Sequence, residues 1–128
     1  MRRVIDHFGI NCADLAASAT FYDTVLAPLG VRRLMDHGEA MGYGAEYPDF
    51  WLSNGAADGP NREMHLAFRA GSEGEVRAFH EAALGLGAEE LHAPREWPEY
   101  HPGYFGAFVR DPDGNNVEAV FHRPAPPQ

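Results

Sequence analysis

Among the chain's titratable side chains, His7, His65 and Glu118 are the best placed to hold a metal ion. Two imidazoles and one carboxylate form a facial set of donors that leaves other coordination positions open. An open position lets a substrate oxygen or a water bind, be polarised or lose a proton. The set calls for one divalent ion and suits zinc, iron, manganese, nickel or cobalt. It needs neutral imidazole and ionised carboxylate, which the ion's own charge favours. The three residues are far apart in the chain and form no local motif of the H-E-x-x-H kind, so tertiary structure must gather them. A second group lies in Glu96–Tyr104, which places three aromatics and a histidine before a strand. His101 is a candidate general acid or base, because imidazole titrates near neutral pH. Tyr104 is a candidate for orienting a substrate oxygen. Phe50 and Trp51 are candidates for lining the pocket, with core packing the stronger single role for Phe50. Arg69 can hold an anionic group or form a rim ion pair. His37, His80, His92 and His122 read as surface residues, and Cys12 as an inert small side chain.

Composition removes several other chemistries. All ten basic residues are arginine, so Schiff-base catalysis by a side-chain amine and the P-loop lysine are excluded. A net charge of −9 argues against sequence-independent nucleic-acid binding and against docking on an anionic membrane. No stretch approaches the length of an apolar membrane span. One cysteine permits no intrachain disulfide, and Met1–Ile5 lacks the apolar run of a secretory signal, so a cytoplasmic location is expected.

The elements that must position these residues repeat. With His7 laid on His65, His7-Phe8-Gly9-Ile10 aligns with His65-Leu66-Ala67-Phe68, Asp14 with Ser72, and Phe21-Tyr22-Asp23 with Phe79-His80-Glu81. Each half begins as a short apolar strand and reaches an N-cap. Ser72-Glu73-Gly74-Glu75 has the form of a capping box. Leu15, Tyr22, Val25, Leu26 and Leu29 recur at helical spacing, as do Val76, Phe79, Ala83 and Leu86. Pro28 should end the first helix early, and Gly30 and Gly87 stand where left-handed C′ residues stop helices. Strands are expected at Val31–His37, Ala40–Gly44 and Asp49–Ser53, then at Glu89–Ala93, Tyr104–Arg110 and Asn116–His122. Asp111–Asn115 reads as a hairpin turn, Asn54–Arg62 as a linker and Arg123–Gln128 as a loose tail. The 128 residues therefore form one α+β domain of two tandem βαβββ modules, about 4–54 and 63–122.

Strand alternation places His7, His65 and Glu118 on faces not used for helix packing. If the mixed sheets curl, those faces enclose a cavity. The duplication, the starts Ile5–Ile10 and Met64–Phe68, and above all Asp111-Pro112-Asp113-Gly114-Asn115-Asn116-Val117-Glu118 resemble the vicinal oxygen chelate superfamily. That group includes glyoxalase I, extradiol dioxygenases, epimerases and bleomycin- or fosfomycin-resistance proteins. The resemblance covers about residues 4–122. It implies metal ligands at His7, His65 and Glu118, a small oxygen-rich organic substrate, and lyase, isomerase or dioxygenase chemistry. It also implies a homodimer. The fourth ligand usual in glyoxalase-like members, a glutamate, is replaced here by Trp51 or Leu52. The rival expectation is a non-catalytic protein that sequesters a drug or antibiotic.

Overall fold

The computed structural model describes residues 4–55 and 59–124; parts of the expected linker and tail lie outside them. Strand β1 (Phe8–Cys12) leads into helix α1 (Leu15–Leu26), a 3-10 turn (Ala27–Leu29) and strands β2 (Arg32–Asp36), β3 (Ala40–Gly44) and β4 (Phe50–Asn54). The series then repeats as β5 (His65–Arg69), α2 (Glu73–Gly85), β6 (Glu90–Glu96), β7 (Tyr104–Arg110) and β8 (Asn116–His122). The Asp14 carboxylate accepts from the Ala17 N–H at the start of α1, satisfying a donor that the helix cannot. At α2 the Ser72 hydroxyl accepts from the Glu75 N–H, while the Glu75 carboxylate takes the Gly71 N–H, one residue earlier than a strict capping box. Both helical segments stop at left-handed glycines, Gly30 at φ 76° and Gly87 at φ 80°.

The two sheets have the same order, β1-β4-β3-β2 and β5-β8-β7-β6. In each, the first strand pairs parallel with the last, and the other neighbours are antiparallel. β6 runs past the expected Ala93 to Glu96 despite Pro94. It lies at the sheet edge, where a missing backbone donor is tolerated.

One buried cluster joins both modules. Ile10, Phe50 and Leu52 pack with Tyr22 and Val25, and Leu66, Val117 and Ala119 with Val76 and Phe79. Phe50 meets Phe68 edge-on at 5.2 Å across the module boundary, and the two helices pack together. The β7–β8 turn reinforces this joint. The Tyr22 hydroxyl donates to Asp111 at 2.6 Å, and the Ala13 N–H donates to Asp113 at 3.1 Å. The helices thus cover one face of each sheet and leave the other open. The expectation of an enclosed cavity is corrected for the single chain: its two sheets are not closed on each other. Phe50 takes the core-packing role, being 1% exposed and in ring contact with Tyr22 and Phe68.

Candidate active site on the open face of the second sheet

Register places Glu118 beside Ala67 on β5 and Phe108 on β7, and His122 opposite Tyr104. Inward residues Val117 and Ala119 are in the core, so Asn116, Glu118, Val120 and His122 share the open face. Glu118 is fully buried beneath that face, yet both carboxylate oxygens have partners. His65 Nε2 lies 2.8 Å from Oε1, and the Tyr104 hydroxyl donates to Oε2. Burial, then the hydrogen bond to Glu118, push the Tyr104 hydroxyl well above its ordinary pKa, so it remains a neutral donor. The His65 side chain is 54% exposed and presents this pair to solvent. Gly106 keeps the floor open: a Cβ there would stand 3.1 Å from Glu118 Oε2.

An aromatic wall borders the pair. The Phe108 ring packs against His65, His92 and Trp97 at 5.9, 5.4 and 5.2 Å. Trp97 is buried and donates from its indole N–H to the Gly106 carbonyl at 3.1 Å, while Tyr100 stacks on it and Arg95 covers its ring. At the other end, His101 Nδ1 is 2.9 Å from the Pro102 carbonyl, and its Nε2 is 3.1 Å from His122 Nδ1. The edge of Tyr104 packs against both imidazoles. Burial lowers the His122 pKa, aided by the positive field of Arg69 and by His101.

The structure therefore brings His65, Glu118, Tyr104 and His101 to one face, with Arg69 exposed on the same face of β5. His7 is not among them. It precedes β1, is exposed, and pairs through Nδ1 with Asp6 at 2.6 Å. Trp51 lies half-buried on the open face of the first sheet, across Gly42 and stacked with His37 at 6.0 Å. Among the described residues of one chain, no three His, Cys, Asp or Glu side chains form a group able to hold a metal ion. The donor chemistry of the His65–Glu118 pair nevertheless fits a divalent ion, as borderline nitrogen and hard oxygen. The Asn116 side-chain oxygen, on the same face and cross-strand from His65, is buried without a hydrogen-bond partner among the described residues. An acceptor with no donor favours a nearby positive charge.

Sequence reasoning missed His122, His92, Trp97 and Phe108 as members of this face. His122 shares the strand parity of Glu118 and was findable on that signal. The position of Trp97 depends on a bond across the β6–β7 hairpin, which no local pattern announces. A cavity of about 570 Å³ lies elsewhere, between α1, the end of α2 and the β7–β8 turn, and shares no lining residue with the site.

The family model for the glyoxalase-like domain matches residues 6–120. The fold is similar to that of a glyoxalase/bleomycin resistance protein from Albidiferax ferrireducens T118, at 26% identity and TM-score 0.79, covering 90% of this chain and 96% of that one. It is also similar to lactoylglutathione lyase from Agrobacterium tumefaciens, at 22% identity, TM-score 0.68 and 94% coverage of both chains. Fosfomycin resistance protein FosX from Mesorhizobium loti aligns at 15% identity and TM-score 0.69, covering 94% of this chain and 93% of that one. The last two share the fold alone. No curated protein matches significantly.

Proposed function

The chain belongs to the glyoxalase-like domain family, and on that premise we propose that it is a divalent-metal-dependent enzyme of the lyase, isomerase or dioxygenase kind. Its substrate is a small oxygen-rich organic molecule bound on the open face of the second sheet. The observation that carries this reading is the hydrogen-bonded His65–Glu118–Tyr104 set on that face. His65 and Glu118 would hold the ion, with His7 completing the set from the first module of a second copy in a homodimer. The bound ion would supply Lewis-acid polarisation of substrate oxygen. Tyr104 fixes the Glu118 carboxylate and keeps its own proton. Arg69 steers an anionic substrate group, and Trp51 of the partnering module closes the pocket. His101 lies close enough to Tyr104 to serve proton movement at this end of the face. The reaction is intracellular and involves neither nucleic acid nor membrane.

Metal analysis of protein purified without chelator tests the reading. Stoichiometric metal is expected, and His65→Ala should abolish it. Failure to bind any supplied divalent ion would remove the enzyme reading. Sequestration of a drug or antibiotic would then lead, supported by the aromatic wall of Phe108, Trp97 and Tyr100 in a chain of net charge −9. Calorimetry with cationic compounds on metal-free protein would measure that alternative.

A further inference from the structure

The histidine pair at the far end of the open face has a hydrogen-bond order that its partners dictate. A carbonyl oxygen only accepts, so the proton between His101 Nδ1 and the Pro102 oxygen belongs to His101. In the neutral pair, His101 Nε2 is therefore an acceptor, and His122 Nδ1 must be the donor across the 3.1 Å contact. His122 Nε2 then carries a lone pair and makes no hydrogen bond among the described residues. Both nitrogens of His101 are engaged, whereas one nitrogen of His122 is available. His122 is half-buried on the strand face that also carries Glu118, with Tyr104 spanning the interval between them.

We propose that His122 is the general base of this site, and that His101 is the positioning residue that fixes its tautomer and receives its proton. The proposal rests on the function inferred above; for a substrate with a C–H beside a carbonyl the step is a proton transfer. The C–H bond breaks, its electron pair stays on the substrate, and a new N–H bond forms at His122 Nε2. His122 Nδ1–H passes its proton to His101 Nε2 in the same relay. His101 is left as an imidazolium against the Pro102 carbonyl, at the exposed edge where water can discharge it. No oxidant is needed, and the proton count balances.

The groups facing His122 favour passing the charge onward. Arg69 on β5 opposes a cation at His122; Tyr104 on β7 is neutral; and the Glu118 anion lies along β8 with its carboxylate taken up by His65 and Tyr104. Burial also disfavours charge at His122.

Long-range proton–nitrogen NMR of histidine-labelled protein tests the tautomers directly. Expected at neutral pH is an unprotonated Nε2 and a protonated Nδ1 at His122. His101→Phe should shift His122 to the commoner Nε2–H form, and His101→Gln, which can still accept, should preserve the native form. A protonated Nε2 at His122 in the wild-type neutral pair overturns the proposal. Deuterium exchange into dihydroxyacetone by the metal-supplemented protein tests the base role. His122→Gln should slow exchange by about 100-fold, and His80→Gln, at the contact of α2 with Glu90 of β6 and away from this face, should not change it. Equal exchange in wild type and His122→Gln, or none in either, also overturns the proposal. His65→Ala should lose the metal and leave the tautomers unchanged, so failure of the metal reading and failure of this one give different results.

Discussion

A buried carboxylate beside an exposed imidazole is costly unless both of its oxygens are satisfied, and Glu118 meets that condition with His65 on one side and Tyr104 on the other. The arrangement leaves little freedom beneath the carboxylate. Gly106→Ala would bring a Cβ to 3.1 Å from Oε2 and 3.4 Å from the Ala119 carbonyl. The side chain must yield rather than the sheet. The expected result is metal affinity weaker by about 10-fold with little change in melting temperature, compared by metal titration and thermal denaturation of both proteins. Glu118 and His65 were readable in sequence because strand parity places them on one face. His122 has the same parity, but its neighbourhood of arginine and prolines resembles a solvated tail and outweighs that signal; its contacts with Tyr104 and His101 fix it on the face.

Helix α2 shows how far local chemistry carries the fold. Ser72 caps one N–H and Glu75 another, so Ser72→Ala should cost about 1 kcal/mol, seen as a lower midpoint in urea with an unchanged slope. Signals of this kind are local, and they were therefore readable: both caps, both terminating glycines and the β7–β8 turn follow from side-chain chemistry within a few residues. Nearly all strands do so as well, through alternation. The extension of β6 to Glu96 does not, because Pro94 is acceptable only at a sheet edge, and edge position is a property of the whole sheet. The burial of Phe50 was only half readable, since its strand presents aromatics to both faces and the choice depends on Tyr22 and Phe68 from other elements.

How the modules join decides both stability and the completeness of the site. The Asp111–Asn115 turn, the most specific sequence mark of the family, clasps the second module to α1 of the first through Tyr22 and Ala13. Tyr22→Phe should cost about 1–2 kcal/mol by removing a buried hydrogen bond to a carboxylate. Tyr22, Tyr43 and Tyr104 all have hydroxyl pKa values raised above the ordinary 10.0, chiefly by burial. Above pH 10 the unfolded chain releases phenolic protons that the fold retains, so stability should be full below that value and fall as pH rises past it. Urea denaturation across that range, with ultraviolet titration of the phenols, checks the sign. His7 stands outside the His65–Glu118 cluster of its own chain, so completion of the proposed metal set calls for a second copy. In such a dimer each site takes His7 from one subunit and His65 with Glu118 from the other. His7→Ala and His65→Ala homodimers should therefore each lack metal. A hybrid of the two carries one site with both substitutions and one fully native site. Mixing the inactive variants under subunit exchange should restore metal binding to about half of the sites in each hybrid dimer. If every site closed within one chain, each hybrid site would lack one histidine and mixing would restore nothing.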